Sequence, residues 1–117
     1  MKIRFQADAD LDPDIARGLC RREPAVDFSF AKGVIADATS DLEVLRLSAA
    51  AGRVLVSRDV RTMPGHLAEF LRSGQSPGLI LIPSGTSISD AIEGLLVVWL
   101  AWSAEEMQNQ IRWLPRS

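Results

Sequence analysis

The stretch SDLEVLRLSAAAGRVLVSRD, residues 40–59, decides the fold class of this chain. It begins with Ser40, carries Glu43 three residues later and runs through leucines and alanines to Gly52. This pattern predicts a helix with a capping box at its start and a glycine after its last turn. RVLVS, residues 53–57, follows at once and is short, apolar and β-branched, as expected of a strand buried in a parallel sheet. A helix that leads directly into such a strand is typical of α/β proteins.

The rest of the chain repeats this alternation of strands and helices. Asp12 followed by Pro13 predicts the start of a first helix. The expected strands cover about residues 3–7, 26–30, 53–57, 79–82 and 111–114, and the expected helices cover about residues 13–22, 41–51, 66–72 and 87–109. The order βαβαβαβαβ predicts one domain over residues 1–117, of class α/β, with three layers (α/β/α) and a central, mostly parallel sheet.

Composition limits the classes of protein that fit. Hydrophobic residues make up 47% of the 117 residues, which is typical of a globular domain with its own core. A net charge of -2 argues against a generally basic nucleic-acid-binding surface, although a local basic site remains compatible with it. The single cysteine, Cys20, excludes an intrachain disulfide. The longest apolar run, residues 95–102, is too short to span a membrane, and no signal-peptide pattern opens the chain, so we expect a cytoplasmic protein without a membrane partner.

Three aspartates are expected at one edge of the sheet. Asp8 follows the first strand, Asp59 follows the third, and Asp41 opens the helix that leads back from the same edge. Ligand sites in parallel α/β sheets lie beyond the carboxyl ends of the strands. Clustered carboxylates repel one another unless a cation neutralises them, and oxygen ligands suit Mg²⁺ or Mn²⁺. We therefore expect Asp59→Asn to stabilise the metal-free protein. Taken singly, each aspartate also fits a structural role in a turn or at a helix start.

Basic residues are expected around this acidic centre. Arg58 and Arg61 flank Asp59, and Arg4 and Lys32 are expected nearby. Such an arrangement suits contacts to a phosphate backbone, while the alternative is a set of solvated surface charges. His66 fits an ordinary surface or capping histidine better than a site residue.

Three segments together resemble a known family. They are IRFQADADLDPDIARGL (residues 3–19), TSDLEVLRLSAAAGRVLVSRDVRT (residues 39–62) and PGLILIP (residues 77–83). They are similar to a branch of PIN-like domains related to VapC toxins. The resemblance implies a PIN-like fold and a metal-dependent endoribonuclease, the toxin component of a toxin–antitoxin pair, with RNA as substrate and a small antitoxin protein as partner.

The resemblance also implies roles for particular residues. Carried over by position, Asp8, Asp41 and Asp59 are the catalytic residues and the ligands of Mg²⁺ or Mn²⁺. Ser57 stands at the family's small hydroxyl position and is an auxiliary residue. Arg58 and Arg61 are the basic residues expected to bind the RNA.

The chain departs from the family's pattern at two positions. Many relatives have an acidic residue at the position of Ala9 and another at the position of Arg61. The positive charge of Arg61 also opposes the binding of a metal ion, unless its side chain points to a phosphate. Asp10 is an auxiliary candidate, because side chains two apart on an extended strand face the same way. Asp37 is a weaker spare candidate. These departures favour the alternative of a catalytically reduced binding domain that acts through dimerisation or a protein partner.

The helix expected after residue 87 is apolar on every side over LLVVWLAW, residues 95–102. One side can face the sheet, and a second copy or a partner is expected to cover the other. Trp99 and Trp102 lie three residues apart, share a helix face and are expected to anchor a homodimer. Full burial of both rings within the monomer is the alternative.

Overall fold

One five-stranded parallel sheet forms the centre of the molecule, and the computed structural model describes residues 1–115. Its strands are β1 (Arg4–Ala7), β2 (Asp27–Ser29), β3 (Val54–Ser57), β4 (Leu79–Leu81) and β5 (Ile111–Trp113). Their order across the sheet is β2-β1-β3-β4-β5, and every neighbouring pair is parallel. The predicted α/β class is confirmed, and the sheet is parallel throughout.

Helices cover both faces of the sheet. They are α1 (Pro13–Arg22), α2 (Asp41–Ala51), α3 (Met63–Leu71), α4 (Ile88–Ala101) and α5 (Ala104–Met107). α1 and α4 pack on the face that carries Phe5, Val56 and Ile80, while α2 and α3 pack on the face that carries Leu55 and Leu79. Successive residues of a strand point to opposite faces, so each buried strand serves both cores. The result is the predicted three-layer arrangement.

Local capping explains where the first two helices begin and end. Asp12 caps α1, as the sequence predicts. The Ser40 hydroxyl accepts a hydrogen bond from the backbone N–H of Glu43, 3.2 Å away, and Gly52 ends α2 with a left-handed φ of 67°. The Glu43 carboxylate binds Arg46 instead of returning to Ser40, so only half of the predicted capping box forms.

α3 begins earlier than predicted, at Met63 rather than near His66. Pro64 lies in the first turn, where its fixed φ and its missing N–H are tolerated. Met63 is fully buried and anchors the helix start in the core between the sheet and α2. The earlier start makes His66 a first-turn residue of α3.

α4 ends at Ala101, so the prediction of one helix to residue 109 is wrong. Trp102 adopts an extended conformation, and Ser103 caps the separate helix α5. Ser103 and Glu106 form a reciprocal capping box, which starts a new helix in place of the old one. None of the helices within residues 1–115 combines the length and the apolar character that crossing a bilayer requires.

The two tryptophans do not form the exposed face that the sequence predicts. Trp99 is only 7% exposed and belongs to the core, and Trp102 is half-buried beneath the guanidinium of Arg112. The large apolar side chains of α4 that are most exposed are Val97 (55%) and Leu100 (61%). These two aliphatic side chains, rather than the tryptophans, are therefore what the second half of α4 offers to another molecule.

Candidate functional site

The strand order places a topological switch point between β1 and β3. The chain runs from β1 outward to β2 and then crosses back to β3 on the other side of β1. In doubly wound sheets, ligands bind beyond the carboxyl ends of the strands at this point. Asp8 directly follows β1, and its N–H continues the sheet by donating to the carbonyl of Val56, 2.9 Å away. Ser57 is the last residue of β3 and lies beside Asp8.

A buried hydrogen bond joins the two strand ends. The Ser57 hydroxyl donates to Oδ2 of Asp8 at 2.7 Å, and the Ala9 N–H donates to Oδ1 at 2.8 Å. Burial raises the pKa of Asp8, these two hydrogen bonds oppose the rise, and the negative charges of Asp41 and Asp59 add to it. The three aspartates predicted from the sequence are therefore close enough to influence one another.

These aspartates border one cavity of about 240 Å³, here called the acidic cavity. Its carboxylates come from Asp8, Asp10, Asp37, Asp41 and Asp59. Reduced solvation in the cavity raises the pKa of Asp10, and the charge of Asp8 raises it further. The structure thus brings together all three predicted catalytic aspartates, the auxiliary Asp10 and the spare candidate Asp37.

The carboxylates share the cavity without converging on a single point. Within residues 1–115, no group of three or more histidine, cysteine or acidic side chains is arranged to hold a metal ion. Both oxygens of Asp59 accept hydrogen bonds from Thr62, one from its N–H at 2.9 Å and one from its hydroxyl. Oδ2 of Asp41 lies 3.1 Å from Nε2 of His66. The donor chemistry fits a hard cation, and closing a site would require Asp59 and Asp41 to turn from these partners.

Thr62 and His66 were not singled out as site residues by the sequence. Thr62 hydrogen bonds hold the pKa of Asp59 below its usual range. A signal for this contact was present, because an aspartate three residues before a hydroxyl residue at a helix start commonly accepts its N–H. His66 reaches Asp41 because α3 starts early, which the sequence pattern did not indicate.

The basic residues divide between the two ends of the sheet. Arg58 donates its backbone N–H to Asp10 at 3.2 Å, and its charge lowers the pKa of that carboxyl against the larger effect of reduced solvation. Arg61 is exposed next to Asp59. Arg4 begins β1 and donates to the Ala51 carbonyl, so it lies at the opposite end of the strands and the expectation that it joins the site is wrong.

Chemically, the arrangement is a negatively charged depression with arginines at its margin. Such a depression can attract a cation, and its margin can contact phosphate oxygens. Comparisons of the chain with protein-family models, with curated proteins and with solved structures found no match.

Proposed function

We propose that this domain is a divalent-metal-dependent endoribonuclease of PIN-like type, the toxin component of a toxin–antitoxin pair in the cytoplasm. The observation that carries the proposal is the meeting of Asp8, Asp41 and Asp59 on one cavity at the switch point of the sheet. RNA is the proposed substrate, Mg²⁺ or Mn²⁺ the proposed cofactor, and a small antitoxin protein a proposed partner.

Residues of the acidic cavity would divide the work as follows. Asp8 and Asp59 would be the principal ligands, with Asp41 as a third ligand or as the base that orients water. The chemistry that Mg²⁺ or Mn²⁺ would supply is activation of water and neutralisation of phosphoryl charge. Ser57 keeps the Asp8 carboxylate at the carboxyl ends of the strands through its 2.7 Å hydrogen bond. Arg58 at the margin suits the phosphate of the substrate, because a guanidinium can bind two phosphate oxygens at once.

A catalytically reduced binding domain is the second candidate, and specific contacts favour it. Asp59 already binds Thr62 through both oxygens, and Asp41 already pairs with His66. Arg61 places a positive charge beside Asp59, and Ala9 supplies no ligand. A domain of this kind would keep the cavity without cleaving RNA.

Thermal unfolding with and without manganese separates the two candidates. A ligand that binds only the folded state stabilises it by about 2.7 kcal/mol at a hundred times its Kd, so Mn²⁺ should raise the Tm of the wild type. Asp8→Asn should abolish this rise. Asp27→Asn is the matched control, because Asp27 begins β2 at the opposite end of the sheet and pairs with Arg53. It should keep the manganese effect.

Cleavage of a single-stranded RNA in Mn²⁺, compared with EDTA, tests the activity itself. We expect the wild type and Asp27→Asn to cut and Asp8→Asn to be inactive. An unchanged Tm in millimolar Mn²⁺ together with intact RNA would remove the nuclease proposal and leave the binding domain.

The proposal includes a homodimer built on α4 and β5. The α4–β5 surface, defined by Val97, Leu100, Ile111 and Trp113, presents side chains that are 36–61% exposed. A groove of about 600 Å³ runs between α4 and β5. Exposed apolar patches of this kind mark interfaces.

A second copy is the occupant that fits this surface. β5 lies at the edge of the sheet. Only every second residue of β5 uses its backbone groups to bind β4, so the backbone N–H and C=O of Ile111 and Trp113 face away from β4. Two-fold symmetry would pair β5 with its own copy and continue the sheet. The groove is bordered by Asp90, Glu93 and Arg112, whose opposite charges suit a self-complementary contact.

Light scattering tests the homodimer. Leu100→Glu places a charge on the α4–β5 surface and should give a folded monomer, while the wild type is a dimer at tens of micromolar. Leu42→Glu is the matched control, because Leu42 is a leucine of similar type on α2 that is 41% exposed away from this surface. It should remain a dimer. A monomeric wild type would reject the homodimer.

A further inference from the structure

A second cavity adjoins the acidic cavity and also measures about 240 Å³. Ala9 borders both cavities, so their contents would be neighbours. The walls include Ala7, Leu11, Pro13, Arg17, Phe30 and Lys32. This space, here called the Phe30 cavity, differs from the acidic cavity because its charged side chains are cations.

Phe30 supplies an aromatic wall. The residue follows β2, is half-buried and packs against the core that lies under α1 and α4. Above its ring, the guanidinium carbon of Arg17 lies 5.8 Å from the ring centroid. An ion pair with Asp14, 2.7 Å away, holds Arg17 in this position. An aromatic face and a guanidinium plane therefore border the same small space.

We propose that the Phe30 cavity binds one base of a single-stranded RNA whose neighbouring phosphate lies at the acidic cavity. The inference rests on the proposed function for its choice of substrate. A base offers a flat π face, which stacks on aromatic rings and on guanidinium planes in single-stranded complexes. The phosphates that flank such a base suit the exposed cation Lys32.

Size and position support the same occupant. At about 240 Å³ the Phe30 cavity lies below the range of about 300–1,000 Å³ usual for drug-sized ligands, as expected for a site that takes a single ring system. Ala9 lines both cavities, and its side chain is a single methyl group. A longer side chain at this position would separate base and phosphate. The departure of Ala9 from the family's acidic residue thus gains a physical role.

Fluorescence anisotropy in EDTA tests the base site without any metal. The probes are a labelled pentanucleotide UUAUU and the same pentanucleotide with an abasic central residue. Base stacking of the usual strength corresponds to about a 5- to 150-fold difference in Kd, and we expect the wild type to show a preference of this size for UUAUU.

Two variants locate the preference. Phe30→Leu keeps the apolar bulk and removes the ring, so it should bind both probes alike. Phe70→Leu is the matched control, because Phe70 is a half-buried phenylalanine of α3 on the other face of the sheet. It should keep the full preference. Ala9→Leu, at an exposed position, fills the space between the two cavities with a side chain that offers no flat face for stacking, and it should also abolish the preference.

The outcomes separate this inference from the proposed nuclease. A wild type that binds both probes equally, or a Phe30→Leu or Ala9→Leu variant that keeps the preference while folded, would overturn the base site. Base preference without manganese-dependent cleavage would support the base site and reject the nuclease. Cleavage without base preference would support the nuclease and reject the base site.

Discussion

Replacing Ser57 by alanine removes the hydroxyl that joins β1 to β3. Ser57 is fully buried, donates to the Asp8 carboxylate at 2.7 Å and accepts from the N–H of Asp59 at 3.0 Å. A hydrogen bond to a charged group contributes about 1.5–3 kcal/mol and a neutral one about 0.5–1.5 kcal/mol. We therefore expect Ser57→Ala to lower the free energy of unfolding by about 2–4 kcal/mol near neutral pH.

The loss should depend on pH with a defined sign. Burial raises the pKa of Asp8, and the Ser57 hydroxyl opposes that rise by binding the charged form. Because the folded protein binds this proton more tightly than the unfolded chain, ionisation of Asp8 reduces stability as the pH rises through the window above its ordinary pKa. Removing the hydroxyl raises the pKa of Asp8 further and enlarges this reduction. The difference between wild type and Ser57→Ala should therefore grow from about pH 4 to about pH 7.

Urea unfolding followed by circular dichroism measures the effect at both pH values. Ser48→Ala is the matched control, because Ser48 is also buried but donates to the neutral carbonyl of Leu45 at 3.0 Å. Its loss should be smaller and independent of pH. The reasoning is refuted if Ser57→Ala loses less than about 0.5 kcal/mol, the lower limit for one hydrogen bond, or loses the same amount at both pH values.

Two further changes test the surroundings of the site and the fold. Asp59→Asn should lower the metal-free stability rather than raise it, because Thr62 binds both carboxylate oxygens and holds the pKa of Asp59 down. The stabilisation by ionised Asp59 is present above the ordinary pKa of aspartate and is lost as the pH falls through the lowered value. The urea midpoints of wild type and Asp59→Asn should therefore differ most near neutral pH. A variant more stable than the wild type would contradict this role of Asp59. Gly78→Ala should lose about 2–3 kcal/mol, because Gly78 has a φ of 124° and an added Cβ would lie 2.4 Å from the carbonyl oxygen of Met107. Gly65→Ala, where an added Cβ meets nothing within α3, should keep or raise the Tm, because alanine favours a helix more than glycine does, and a lowered Tm would expose a general intolerance to alanine.

Elements with strong end signals could be predicted from the sequence. The aspartate–proline start of α1 and the Ser40 and Gly52 ends of α2 appear as expected, since each of these residues acts on the backbone of its own helix end. α4 was predicted too long, because apolar character continues through the break at Trp102 and the capping box at Ser103 went unrecognised. The sequence leaves the burial of Trp99 open for a related reason, since periodicity tells which residues share a face but not which neighbour covers that face.

The positions of the candidate site residues along the backbone could be predicted from the sequence, and the directions of their side chains could not. The ends of parallel strands meet at one edge, which suffices to place Asp8, Asp41 and Asp59 on one cavity. The direction of each carboxylate depends on donors a few ångströms away, such as Thr62, and these follow from the exact start of α3. The distance of Arg4 from the site follows from the sequence alone, because Arg4 is the first residue of β1 and Asp8 follows its last residue.

The central place of β1 has a consequence for the order in which the protein can form. β1 is synthesised before both of its neighbours in the sheet, and the hydrogen bond between Asp8 and Ser57 spans 49 residues of sequence. During synthesis Asp8 stays solvated and without its partner Ser57 until the whole of β3 has left the ribosome. Closing so long a loop is slow compared with forming a helix, so α1 and α2 can take shape before the sheet does. The acidic cavity therefore forms only after β3 has paired with β1, and a nascent chain that lacks β3 cannot contain it.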